Sequence, residues 1–223
     1  GGIVQGLIGS LAGRSAIICG NGAGVFAEYE AARAALEDPV IFAANDVGMY
    51  LPVLHHFVSL HTDNLNAWKM VRWLHCTNIE VTTYHGVDFR PGVDAVWDRL
   101  SPCFALSGYF AMQIAWILGC ERIVLCGCPG TQTPRFFEAQ ARADFGYGTS
   151  TSNGDQGIRQ QVQHEMKRLP AFKAAVRSMS GWTQTFFTGE LSWPTLPLLP
   201  SPKLALLPSC LLYTSPSPRD AHE

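Results

Sequence analysis

Residues 16–36 read AIICGNGAGVFAEYEAARAAL, and this stretch decides the fold class. Ala16 to Cys19 is a short apolar run with neighbouring isoleucines, whose branched side chains favour an extended backbone, and it stops at Gly20. From Val25 to Leu36 the apolar positions fall at helical spacing among several alanines, the best helix formers. A strand, a glycine turn and a helix are therefore predicted in immediate succession.

The same alternation continues outward. Val40 to Ala44 is a second apolar run that ends at Asn45 and Asp46, and Phe57 to Leu60 is a third that ends at His61, Thr62 and Asp63. Leu65 to Leu74 reads as a helix, Ile79 to Thr82 as a strand, Gly108 to Leu118 as a core helix punctuated by Gly119 and Cys120, and Arg122 to Cys126 as a strand. Strands alternating with helices predict an α/β fold, an open, mostly parallel sheet with helices on both faces. Residues 127–157 are rich in Gly, Thr, Ser, Asn and Pro and read as a mobile loop or lid with a short helix around Phe136 to Arg142. Arg159 to Ser178 reads as helical with a break at Pro170, and Thr183 to Thr188 as a last strand.

At 223 residues, with 47% hydrophobic and 15% charged residues, the chain suits one sizeable α/β domain, placed at 1–193. Beyond Trp193 the prolines at 194, 197, 200, 202, 208, 216 and 218 exclude helix interiors and central strands, so 194–223 is read as a disordered or artefactual tail. Its end, CLLYTSPSPRDA at 210–221, resembles translated sequencing adapter of the kind found at the ends of environmental open reading frames. The natural chain is then expected to have been truncated or frame-shifted somewhere after Glu190. A net charge of −2 offers no basic face for nucleic acid. The seven cysteines form no C-x-x-C pair and read as reduced thiols. No signal peptide or membrane span is read, which predicts a cytoplasmic protein whose partner is a small-molecule nucleotide, with a homo-oligomer left open.

Chemistry concentrates at the predicted strand ends. In Gly20-Asn21-Gly22-Ala23-Gly24 the missing side chains let backbone amides approach a ligand, and the following helix offers its N-terminus to a phosphate or ribose. The alternative is a tight strand-to-helix turn that binds nothing, and the open α/β pattern around it favours the ligand. Val25 stands where a dinucleotide fingerprint wants its last glycine, so NAD is not the first choice. Asn45 suits a neutral nucleoside, while Asp46 serves either a ligand or a helix cap. His61 and Asp63 read as a turn with a capping acid rather than a metal pair, and no metal ligand is assigned. Ser107 and Gly108 could cap their helix or hold a phosphate at the same end of the sheet, and Gly127 permits close approach there. Cys126 and Cys128, adjacent but one in an extended chain, cannot easily close a disulfide and do not read as a redox pair. Trp68, Trp73, Trp97 and Trp116 read as packing residues.

Taken together, GNG after the first strand, Asn45 in FAANDVGMY, and SGYFAMQIAWILGCERIVLCG at 107–127 resemble the bacterial sialyltransferases that use CMP-sialic acid. They are also similar to the archaeal 6-hydroxymethylpterin diphosphokinase-like proteins and to flagellin-glycosylation accessory proteins. The match covers 16–127. The resemblance implies a Rossmann-like sheet with Asn21, Gly22, Asn45, Ser107 and Gly108 around a nucleotide, and a transferase whose leaving group is the nucleotide's phosphate. Two departures accompany it: Cys128, Pro129 and Gly130 stand where those enzymes carry an acidic residue, and their histidine motif is missing. His164, in QQVQHEMKRL, is the histidine left to serve as catalytic base, or is a surface residue; Tyr147 is placed near a phosphate. The expected function is a glycosyltransferase-like enzyme using a nucleotide-sugar donor and no tightly bound cofactor. Its rivals are a pyrophosphokinase holding ATP and Mg²⁺ through Asp46 and Asp63, a non-catalytic nucleotide-binding accessory protein, and an NAD-dependent oxidoreductase resting on Gly20, Gly22 and Asp46.

Overall fold

The computed structural model describes residues 2–75, 81, 83–97, 106–131, 135–136, 155–188 and 190–193. Helix α1 (Gly2–Leu7) leads into β1 (Ser15–Cys19), α2 (Val25–Ala35), β2 (Val40–Ala44), a 3₁₀ turn (Asn45–Met49) and β3 (His56–Val58). A second 3₁₀ turn (Thr62–Asn64) opens α3 (Leu65–His75), followed by β4 (Thr83–Gly86), β5 (Ala95–Val96), α4 (Ser107–Leu118) and β6 (Arg122–Cys126). After the β6 loop come α5 (Asp155–Arg168), α6 (Pro170–Ala175), β7 (Val176–Ser178) and α7 (Gly181–Phe186).

The strands form one seven-stranded sheet in the order β5-β4-β3-β2-β1-β6-β7, and every described pairing is parallel. Successive residues of a strand face opposite sides, and here both sides are apolar. Ala16, Ile18, Phe42, Val58, Ile123 and Leu125 pack on one face with α4, Val162 and Met166 of α5, and Phe172 of α6. Ile17, Cys19, Ile41, Ala43, Phe57, Val124 and Cys126 pack on the other with Val25 and Tyr29 of α2 and with Leu65 and Trp68 of α3. This is the Rossmann-like open α/β sheet expected from the strand–helix alternation. Strand β1 runs to β2 on one side and β6 lies on its other side, so the direction of winding reverses between β1 and β6.

Two expectations near the C-terminal side are corrected. Val176 to Ser178, read as helix, is β7, because Val176 leaves α6 with an extended backbone and pairs beside Ile123 at the sheet edge. Thr183 to Thr188, read as a strand, lies mostly in helix α7. With the edge already taken by β7, helical spacing instead stacks Trp182 on Phe186 (centroids 5.0 Å apart) and buries the Thr183 hydroxyl against the Cys128 carbonyl. Trp73 is also corrected: it is 70% exposed rather than packed, whereas Trp68 and Trp97 are buried and Trp116 stacks on Phe172. Of the strand read at 79–82, only residue 81 is described, and β4 begins at Thr83. Trp193 still packs on the core, its indole N–H donating to the Ala175 carbonyl. Residues 137–154 and 194–223, with Tyr147 and most of the expected lid, lie outside the described residues. Among the described residues no helix is long and apolar enough to cross a membrane.

Candidate functional site

The polar residues read at the strand ends meet at the carboxyl edge of the sheet, and their contacts close into a ring. Asn21 follows β1, and its carboxamide turns toward the end of β2: the NH₂ donates to Asp46 Oδ2 at 2.8 Å and Oδ1 accepts the Val47 N–H at 3.0 Å. Asn45 lies between β2 and its 3₁₀ turn with φ 63°, a left-handed conformation that asparagine tolerates better than most residues. Its Oδ1 accepts the Ser59 hydroxyl at 2.8 Å, and Ser59 Oγ in turn accepts the His61 N–H at 2.8 Å. One residue on, the Leu60 N–H donates to Ser107 Oγ at 3.2 Å, which ties the end of β3 to the first residue of α4. A Cβ on neighbouring Gly108 would stand 3.0 Å from Cys128 Sγ, and one on Gly20 would stand 2.6 Å from the same sulfur, which returns the ring to the glycine turn.

The chemistry still available follows from what these bonds consume. Among the described residues Asn45 keeps its NH₂ group and Ser107 its hydroxyl proton, and the Ser107 and Gly108 amides, at the start of α4, have no partner inside the helix. The glycine turn is more occupied. Gly20 N–H donates to the Cys126 carbonyl and Gly22 N–H to the Gly127 carbonyl, both at 2.8 Å. Side chains at 20 and 22 are excluded because the β6 loop lies directly on the turn, with Gly127 O 2.7 Å from a Cβ on Gly20 and 2.9 Å from one on Gly22. The two glycines thus have a packing cause independent of any ligand. Among the described residues no partner is seen for the amides of Asn21, Ala23 and Gly24.

Electrostatics separate the edge into distinct zones. Asp46 is 6% exposed, and burial raises its carboxyl above the usual range against hydrogen bonds from Asn21 and Trp68 and the charge of Arg135. Burial pushes the Cys128 thiol up to about 12 and raises Cys19 and Cys126 as well, with the Glu28 carboxylate adding to each, so the thiols stay protonated. Cys128 Sγ–H donates to the Cys126 carbonyl. Among the described residues Cys19, Cys126 and Cys128 form no disulfide. Among the described residues no group of His, Cys, Asp and Glu side chains is arranged to hold a metal.

Glu28, Ser59 and Arg135 were missed in the sequence. Ser59 is fully buried, and a polar residue inside the apolar run at 57–60 was its only signal. Glu28 lies in the first turn of α2, a position that otherwise reads as favourable helix electrostatics. Arg135 forms an antiparallel bridge with Gly22, and the next amide, Phe136 N–H, donates to the Asn21 carbonyl at 3.0 Å. Such a contact across more than a hundred residues leaves no local trace. His164 is exposed on α5, two residues from each of Val162 and Met166, which face the core, and so on the opposite side of the helix; no described contact links it to the ring. Asp63 is exposed in the second 3₁₀ turn.

No family model, curated protein or solved structure matches the chain.

Proposed function

We propose that the carboxyl edge of the sheet binds a nucleotide and that the protein is a nucleotide-dependent transferase of glycosyltransferase-like type, using a nucleotide-sugar donor. The observation that carries this reading is the ring itself: Asn21, Asn45, Ser59, Ser107 and Cys128 come from widely separated parts of the chain and gather beside the point where the winding of the sheet reverses. Open α/β sheets bind ligands in that place. In this reading the Asn45 carboxamide contacts the nucleoside, and the Ser107 hydroxyl with the Ser107 and Gly108 amides receives the phosphate, where developing charge on a leaving group needs donors. His164 is assigned as base on the resemblance alone, and its exposed place on α5 adds no support. The free thiols fit a reducing, cytoplasmic setting.

One observation favours a second reading, the non-catalytic binding protein. Where the sialyltransferases carry an acidic residue, this chain has the protonated Cys128 thiol, which neither donates nor accepts a proton usefully near neutral pH. The pyrophosphokinase reading finds weaker support: Asp46 is buried and held by Asn21, and Asp63 is exposed in another turn, so the pair is no ready Mg²⁺ cage.

Calorimetric titration with CTP, CMP, UDP and ATP, each with and without Mg²⁺, tests the reading. Binding of one or more pyrimidine nucleotides without a requirement for Mg²⁺ is expected. Mg²⁺-dependent preference for ATP, or no binding of all four, overturns it. Incubating the protein with a bound nucleotide sugar and following release of the free nucleotide then separates transferase from binding protein.

A further inference from the structure

Several contacts join the glycine turn and the start of α2 to β6 and the loop after it, and one of them carries a charge. Besides the Gly20 and Gly22 amides, Glu28 spans the gap: its Oε2 accepts the Gly127 N–H at 2.6 Å, and its Oε1 lies 2.9 Å from where a Cβ on Gly24 would stand. Helical side chains lean toward the N-terminus of their helix, so a glutamate in the first turn of α2 reaches back to the residue that caps it. Its carboxylate therefore meets the positive end of the α2 dipole and the Gly127 amide together, a charge-assisted arrangement that the chain supplies to itself. The other charges divide around it: Arg135 acts on Asp46, whereas Glu28 acts on Cys19, Cys126 and Cys128. A phosphate brought to the Ala23 and Gly24 amides would face a resident negative charge within a few ångströms.

We propose that Glu28 is a specificity-determining residue that closes the Gly20–Gly24 turn to anions. On the nucleotide-binding reading above, on which this second half rests, the turn then meets the uncharged ribose, and the phosphate lies toward Ser107 and Gly108. The glycine-rich turn, which on sequence grounds suited a phosphate or a ribose, is thereby assigned to the ribose.

The test compares wild type, Glu28→Gln and Glu28→Asp by amide chemical shifts of Asn21, Ala23 and Gly24 during titration with inorganic phosphate, cytidine and CMP. Glutamine keeps a carbonyl oxygen for the Gly127 N–H while removing the charge, and aspartate keeps the charge while shortening the reach. Inorganic phosphate is expected to leave these amides unmoved in wild type and Glu28→Asp, and to shift them saturably in Glu28→Gln. The affinity for CMP relative to cytidine should also rise about fivefold in Glu28→Gln, the scale of one charge at a helix terminus. Phosphate-dependent shifts of these amides in wild type overturn the proposal whether or not the variants fold, and so does a folded Glu28→Gln that responds like wild type. If Glu28→Gln gains the phosphate response while neither protein binds cytidine or CMP, exclusion of anions stands and the nucleotide reading falls.

Discussion

Replacing Trp97 by alanine is expected to destabilise the fold by about 4 kcal/mol, the usual scale for deleting a fully buried aromatic side chain. Trp97 is 0% exposed, and its indole N–H donates to His85 Nδ1 at 3.0 Å. An indole can only donate, so His85 Nδ1 must accept, and its proton sits on Nε2. That nitrogen lies 2.9 Å from His56 Nδ1, which therefore accepts in turn. The chain Trp97–His85–His56 works only with both imidazoles neutral. Burial drives the same outcome, lowering His56 from about 6.5 to about 4 and His85 well below its ordinary value, with the neighbouring histidine charges, including that of His55, adding to the shift. As pH falls from about 6.5 toward about 4, the unfolded chain takes up protons at these histidines while the folded chain does not. Stability is therefore complete above the unfolded value and declines through that window. Trp97→Phe keeps the ring but strands His85 Nδ1 without its donor, which should cost about 1–3 kcal/mol. Urea melts at several pH values check both points; a wild-type stability that stays flat across the window, or a Trp97→Ala protein as stable as wild type, contradicts the account.

Gly127→Ala is expected to have the next largest effect, a loss of about 3 kcal/mol, combining backbone strain with overpacking. Gly127 has φ 64°, and an added Cβ would come 2.6 Å from Val25 Cβ and 2.8 Å from the Gly20 carbonyl oxygen. Neither neighbour can swing away, since one is the root of the first α2 side chain and the other is backbone of the glycine turn. Gly24→Ala is the contrasting substitution. Its Cβ would meet only Glu28 Oε1 at 2.9 Å, the end of a flexible side chain, so its cost should stay near 1 kcal/mol or below. Denaturation midpoints of the two variants, measured side by side, check the ranking, and equal midpoints would count against it. The comparison also bears on Glu28, because Gly127 presents the amide that holds its carboxylate.

The fold was legible wherever local pattern and long-range packing agree. AIIC before Gly20 is extended because its residues face two apolar layers, and the helix after it is an alanine-rich stretch that buries Val25, Tyr29 and Ala32. Legibility ended where tertiary context overrides local preference. Val176 looks like the last turn of a helix until β6 offers it an open edge, and Thr183 and Phe187 look like strand residues until that edge is filled. At the site, residue types at strand ends sufficed to bring Asn21, Asn45 and Ser107 together. They could not indicate that the Asn21 carboxamide is spent on Asp46 and Val47, or that Gly20 and Gly22 are glycine because another loop lies on them. Those facts depend on partners 25 to 107 positions away in sequence.

Mapping a bound nucleotide on the protein tests the central claim most directly. Amide shifts recorded during a CMP titration should concentrate at Asn21 to Gly24, Asn45 and Asp46, Ser59 to His61, Ser107 to Tyr109 and Gly127 to Gly130, the segments that the ring of contacts ties together. Saturable shifts confined to another part of the molecule, or none at all at millimolar CMP, UDP and ATP, would show that this edge is a packed junction of loops and not a nucleotide site.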